Sequence, residues 1–328
     1  MSGTAAVSLL ERLHRIWQIQ TVTPALLIGI FVFLFGLVIG SFLNVCIVRI
    51  PGEKSIVSPA SACPKCGAAV RPYDNIPVVS YLLLGGKCRF CKATISWMYP
   101  VVELLNALLF LACYLAFGPT AEALKWAIFS SLLIVLVFTD LRERILPDVV
   151  NFTGLGLALL LSLLTKPTDN VALFLANHLF AFPPPAPVLS LADSLLGAAA
   201  GSGFLWLVSE AYFRLRGREG MGLGDVKMML MVGAFLGVWR TFLTIVAGSL
   251  LGSVLGIGII GFLYLSGWKS KVASRANRRG LGSTQKLRCA LVRRYQLPFG
   301  TYLGLAGIAV SFYGTPFLTW YQSTLLVR

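Results

Sequence analysis

Carboxylates are scarce in this chain, with 13 Asp and Glu among 328 residues. Two of them occupy conspicuous places. Asp225 lies in "GMGLGDVKMM" (220–229), after three alternating glycines, and Asp140 closes the apolar run of "IVLVFTDLRERILPD" (134–148), with Asp148 eight residues on. Two carboxylates brought to one place do not both ionise easily, so one keeps its proton and the pair acts as acid and base on a single water. This is aspartic-protease chemistry. Other hydrolytic kits are missing: there are only two histidines, His14 and His178, and no H-E-x-x-H or G-x-S-x-G. Taken singly, each aspartate reads first as an ordinary helix cap or interfacial helix end, and it is the glycine pattern and a shared membrane face that move the balance to catalysis.

The glycines of the same stretch sharpen the reading. Gly222 and Gly224 permit backbone conformations closed to other residues and would let a substrate strand pass close to Asp225, so they are assigned with Lys227 to a substrate loop. Asp225 also opens an apolar segment, where a helix dipole favours the ionised form. It is therefore expected to be the more acidic of the two.

A second constellation is metallic. Cys63, Cys66, Cys88 and Cys91, in "CPKCG" and "CRFCK", have the spacing C-x2-C-x21-C-x2-C. Two such knuckles fit a four-cysteine zinc site in which protein fills every position, which makes its role structural. A loop this short has little core, and a bound metal supplies folding energy it lacks. Cys46, Cys113 and Cys289 have no partner spacing and read as ordinary thiols.

The elements that must position these groups are membrane helices. The chain is 57% hydrophobic and 12% charged, with a mean hydropathy of +0.80, beyond the needs of a soluble core. Apolar runs predict about eight transmembrane helices, taking roughly 20 residues per crossing. The first run is too long for a secretion signal and lacks a cleavage site, so it is read as retained. The predicted fold is an all-α polytopic membrane protein with a small cytosolic four-cysteine zinc-binding domain. Its expected divisions are an N-terminal segment (1–24), a first transmembrane helix (25–50), the zinc domain (51–98) and a transmembrane peptidase domain (99–328).

Most of the 28 Lys and Arg residues fall in the loops after the first, third, fifth and seventh spans, which puts those loops in the cytosol. The +15 charge is thus mainly topology. The basic stretch 269–294 is read as meeting anionic lipid rather than nucleic acid. Between Asp140 and Asp225 the chain crosses twice and returns, so both carboxylates face the same side. The stretch 225–239 is short for a span, which places Asp225 in a partly sunken, water-accessible recess, whether that segment spans or is re-entrant. An external loop, 166–190, contains "FPPPAP" and is expected to be extended and exposed. Gly197 and Gly201, with Gly248, Gly252 and Gly256, predict close helix packing. Glu103 and Asn44, polar within spans, are open between functional and anchoring roles.

"GSFLNVCIVRIP" (40–51), the two cysteine knuckles with "DNIPVVSYLLLGGK" (74–87) between them, "YPVVELL" (99–105), "DLRERILPD", "GMGLGDVKMM" and "LPFGTYLGLAG" (297–307) together resemble the bacterial type IV prepilin peptidases, in the family's order from residue 36 onward. The resemblance implies a bacterial inner-membrane aspartic protease of the GxGD kind. Such enzymes cut the basic leader from type IV prepilins or type II secretion pseudopilins on the cytosolic side, and many then methylate the new N-terminus with S-adenosylmethionine. By motif position it implies catalytic roles for Asp140 and Asp225, with Asp148 the weaker candidate, and zinc ligation by the four cysteines. It assigns no residue to the methyl donor. Met98 and Gly85 stand where the family usually carries arginine, which bears on methyl transfer rather than on proteolysis. The alternatives are a protease-only enzyme acting on another pilin-like substrate, and a non-enzymatic multispan transporter or assembly factor in which the aspartates carry protons.

Overall fold

The structure is a computed structural model and describes residues 3–169, 171–179, 182, 184–218, 220–265 and 298–325, with side chains from residue 24. The basic stretch 269–294, Cys289 and the side chain of His14 lie outside the described residues. Nine α-helices follow one another among those described: α1 (Gly3–Arg49), α2 (Val79–Leu83), α3 (Met98–Phe117), α4 (Ala121–Glu143), α5 (Asp148–Ser162), α6 (Val171–Leu179), α7 (Ala186–Arg216), α8 (Leu223–Leu265) and α9 (Phe299–Leu325). The described residues hold no strand, only two isolated bridges. The chain divides within α4 into two units, 1–134 and 135–328.

Among the described residues, six helices are long and apolar enough to cross a membrane: Pro24–Gly52, Met98–Phe117, Ala121–Glu143, Ala186–Arg216, Leu223–Gly258 and Phe299–Tyr321. The eight expected apolar segments are all helical, and the difference in number lies in two places. One is α5, apolar but only 15 residues long. The other is α8, which is broken at Gly237 (φ 76°, ψ −174°).

That break reverses the chain. A Cβ placed on Gly201 of α7 would lie 2.7 Å from the Met229 carbonyl oxygen and 2.7 Å from Thr241 Cγ2. In a straight helix those two residues would stand about 18 Å apart. The two halves of α8 therefore fold back on each other at Gly237 and lie together along α7. Glycine makes the approach: a Cβ on Gly197 would meet the Gly233 carbonyl oxygen at 2.2 Å. In the second half, Gly248 and Gly252 pack against Leu303 and Tyr302 of α9.

The reversal is held by two buried aspartates. Asp169 accepts the Trp239 N–H at 2.6 Å, satisfying one of the orphan donors at the start of the second half of α8. Its other oxygen lies 3.9 Å from Arg240 Nε. Asp193, on α7, accepts the N–H groups of Thr168 and Asp169 at 2.9 and 2.8 Å. A Cβ at Gly237 would come within 2.8 Å of the Asp169 carboxylate, so this position needs glycine for space as well as for its positive φ. The stretch 166–190, expected to be extended and exposed, is thus partly neither. It contains α6 and a buried Asp169, and α7 already begins at Ala186. Pro185, just before α7, keeps the extended conformation (φ −55°, ψ 148°).

In the first unit, α1 and α3 approach through Gly36 and Gly40, where a Cβ would meet the Cα atoms of Ala107 and Glu103 at 2.7 and 2.6 Å. The polar residues of these helices make ties. Asn106 donates to the Gly36 carbonyl at 2.7 Å and accepts from Ser131 at 2.9 Å. Asn44 donates to the Tyr99 carbonyl at 3.0 Å. Glu103 accepts the Val78 N–H at 2.8 Å, so both residues left open between function and anchoring act here as anchors.

Gly197→Ala is expected to cost about 1–3 kcal/mol, because backbone atoms must move to admit a methyl group. Gly203→Ala, on the same helix with open space at its Cβ, should be neutral or stabilising. Thermal unfolding in detergent separates the two, and equal behaviour would contradict the packing described.

Burial pushes the Asp169 carboxyl up to about 6, above the unfolded value of about 3.9. A raised folded value means that the protonated form favours the folded state. This contribution is complete below about pH 4 and is lost as pH rises through about 6. Relative to Asp169→Asn, the unsubstituted protein should lose on the order of 2 kcal/mol of stability between pH 4 and pH 7, read from unfolding midpoints across that range.

Candidate active site and metal centre

Asp140 sits in the last turn of α4 and Asp225 in the first turn of α8. Both line one cavity of about 560 Å³, together with Arg144, Leu146, Gly222 and Phe299. Asp140 is 6% exposed. It is fixed from α9, whose Thr301 donates both its N–H, at 2.6 Å, and its hydroxyl, at 2.9 Å, to Oδ2. The N–H is one of the donors left without an intrahelical partner in the first turn of a helix. Asp140 thus caps α9 from another element. Gly300 lets it come close, since a Cβ there would stand 3.1 Å from the same oxygen.

The two directed donors fall on Asp140, while Asp225, expected to be the more acidic from its place at a helix start, stands in the first turn of α8.

Gly222 and Gly224 also differ in their reason for being there. Neither has a positive φ, so they supply space rather than unusual backbone. A Cβ on Gly224 would press on Leu146 Cβ at 3.3 Å, and one on Gly222 would face Asp225 Oδ2 at 3.8 Å. Lys227 is not part of the cavity lining. Two residues beyond Asp225, on another face of the helix, it points to α5, where its ammonium lies 2.7 Å from Asp148 Oδ2. Lys227 and Asp148, one a substrate-loop candidate and the other a weaker catalytic one, therefore form an ion pair joining α5 to α8. Three cavity or support residues were not singled out beforehand: Arg144, Gly300 and Thr301. Each lies in a quoted motif, but nothing in local sequence says that the start of α9 meets the end of α4.

In the first unit, the Sγ atoms of Cys63, Cys66, Cys88 and Cys91 lie within 4.8 Å of one another. The two knuckles share one backbone plan. Cys63 N–H bonds to Ala68 O and Cys88 N–H to Ala93 O, at 2.9 and 2.8 Å. Each turn closes on a residue with positive φ, Gly67 (71°) and Lys92 (56°). Bridges 62↔69 and 87↔94 clamp their bases. The Cys63 and Cys91 sulfurs are 3.8 Å apart, and metal–sulfur bonds of about 2.3 Å in a tetrahedron give edges of about 3.8 Å. Backbone N–H groups of Cys66 and Lys65 pull the Cys63 thiol down to about 6, toward the thiolate a metal requires. The cluster has the donors and the size to hold a metal ion.

Comparison with known proteins shows the family. Residues 34–117 match the model of the bacterial peptidase A24 N-terminal domain, and residues 127–257 that of the type IV leader peptidase family. A prepilin leader peptidase/N-methyltransferase of Aeromonas salmonicida is 32% identical over 320 residues, covering 90% of this chain and 94% of the relative. The chain belongs to the type IV leader peptidase family. Other members carrying the same name come from Pseudomonas aeruginosa, 38% identical over 68% of this chain and 78% of the relative, and from Myxococcus xanthus, 39% identical over 70% and 63%. No solved structure matches this one. The peptidase model of the family spans both Asp140 and Asp225, and its N-terminal model spans all four cysteines.

Purified in detergent without chelator, the protein should carry about one thiophilic metal ion per chain, and Cys63→Ser should lose it. Elemental analysis decides this, and a metal-free protein with its fold intact would refute the site.

Proposed function

We propose that the protein removes the leader peptide of type IV prepilins or related pseudopilins at the cytosolic face of the bacterial inner membrane and methylates the new N-terminus. The observation that carries the proteolytic half is that Asp140 and Asp225, 85 residues apart in sequence, line the same cavity at the ends of two apolar helices. The names of the relatives support the two activities together.

In this reading Asp140, held by the two Thr301 donors, is the carboxylate that takes a proton from a water in the cavity. The water oxygen attacks the scissile carbonyl carbon, and Asp225 gives its proton to the carbonyl oxygen. When the tetrahedral adduct collapses, the C–N bond breaks, the proton held by Asp140 passes to the departing amine and one hydroxyl of the adduct returns its proton to Asp225, which restores both carboxyl groups. Gly222 and Gly224 leave room for a substrate backbone beside Asp225. Lys227 acts at one remove, by holding α5 against α8.

Zinc is the metal proposed for the four-cysteine site, in a structural role: four protein ligands leave no open position for catalysis. S-adenosylmethionine is the proposed methyl donor. Of the two departures from the family, Gly85 takes a left-handed conformation (φ 58°) with open space at its Cβ, and Met98 opens α3. Both lie in or beside the cysteine-bearing segment, proposed here as the 51–98 domain that serves methylation, followed by the 99–328 peptidase domain. Anionic inner-membrane lipids are proposed contacts of the basic cytosolic loops.

Asp140→Asn and Asp225→Asn should each abolish prepilin cleavage in membranes without loss of protein. Thr301→Val keeps the backbone donor, and by removing one charged hydrogen bond it should lower kcat/KM by roughly 10- to 100-fold. Normal processing by either Asn variant would end the assignment. Transfer of a labelled methyl group from S-adenosylmethionine to cleaved pilin tests the second activity on its own, and its failure where cleavage is complete would leave a protease only.

A further inference from the structure

The segment between the two cysteine knuckles bears an apolar face that no described residue of its own unit covers. In α2 the side chains of Leu82 and Leu83 are 70% and 82% exposed, and Val79 and the preceding Ile76 about half so. The opposite side of the same turn is closed, with Ser80 buried, accepting the Ile76 N–H and donating to the Tyr73 carbonyl, both at 3.0 Å. The loop is therefore fixed with its leucines outward.

Its position along the membrane normal follows from one hydrogen bond. Val78, the residue before α2, gives its N–H to Glu103 at 2.8 Å, in a left-handed conformation (φ 59°) that valine seldom adopts. Glu103 is the sixth residue of α3, whose 20 residues give a length of about 30 Å, the thickness of the hydrocarbon layer. It stands about 7 Å below the start of that span. A loop bonded to it is carried to the depth at which interfacial helices rest, about 5–10 Å into the headgroup and acyl boundary. Trp97, at the mouth of the same span, is 69% exposed, in keeping with an aromatic side chain at the membrane interface. Exposed Lys87 follows α2 and suits anionic headgroups.

We infer that residues 76–83 form a membrane-dipping anchor, with Val79, Leu82 and Leu83 seated among the acyl chains of the cytosolic leaflet. The bilayer is the occupant because the tie to Glu103 sets the depth of the loop. The knuckle segment is then held to the membrane at its centre as well as at its two ends, where it joins α1 and α3.

The test uses the full chain in vesicles of phosphatidylethanolamine and phosphatidylglycerol. A fluorescent amino acid is incorporated in place of Leu82, Leu83 or, as a control on the first knuckle, Lys65, which leaves the cysteines untouched. With brominated acyl chains, the probes at positions 82 and 83 should lose most of their emission while resisting aqueous iodide, and the probe at 65 should behave in the opposite way. Iodide quenching at 82 and 83 equal to that at 65 would overturn the inference. So would protection from both quenchers, which would mean that protein covers the face. The unsubstituted chain gives an independent reading, since a lipid with a photoreactive group in its acyl chain should cross-link within 76–84. Cross-links found in the spans but absent from that peptide would also overturn it.

Discussion

A backbone N–H without a partner is costly in an apolar surrounding, and every helix start exposes several. This chain meets the requirement repeatedly with carboxylates from another element. Asp140 on α4 receives the Thr301 N–H of α9, Asp169 receives the Trp239 N–H at the restart of α8, Asp193 receives the backbone of the loop before α6, and Glu103 receives Val78. Few acidic residues are available in this chain, and four of them are used in this way. The same bonds that satisfy the backbone fix where helices meet, so Asp140 is positioned by the need that α9 has for a cap. Its chemistry is then a use of a group already held in place.

The glycines serve the complementary need for close approach. Gly197 and Gly233 bring α7 and the first half of α8 to backbone contact, and Gly201 takes both halves of the reversed helix at once. Without a hydrophobic drive between helices in lipid, such contact and the interhelical hydrogen bonds do most of the holding. Asp225 rides on the first half of α8, and its place therefore depends on packing two turns and more away from it.

Much of this could be read from sequence where the signal is local. Apolar runs gave the helices, cysteine spacing gave the four-sulfur cluster, and counting the crossings between them brought Asp140 and Asp225 to one side. What escaped was tertiary in origin. The turn back itself was legible in the short segment 225–239, but no periodicity picks Gly237 as the residue at which it happens, since glycine also occurs inside unbroken helices, as at Gly203. The loop before α7 looked exposed because its prolines are conspicuous, while Asp169 is buried by partners far along the chain. Lys227 was grouped with the glycines through adjacency, yet two residues of helix turn it away from Asp225 and toward Asp148. Thr301 lay in a quoted motif without a role because its partner is 161 residues away.

The reversal at Gly237 also sets a depth. The first half of α8, from Leu223 to the break, is about 21 Å long, some 9 Å less than a hydrocarbon layer. Its two ends cannot both reach a membrane surface. The Gly237 end carries Asp169, Asp193 and Arg240 together, a concentration of ionisable groups that is least costly near water. The shortfall then falls at the other end, where Asp225 opens into the cavity with Asp140. In the proposed function, a scissile bond meeting these carboxylates enters below the surface and the water that cleaves it follows through the same opening, which suits a substrate that brings an apolar segment alongside the cleavage site.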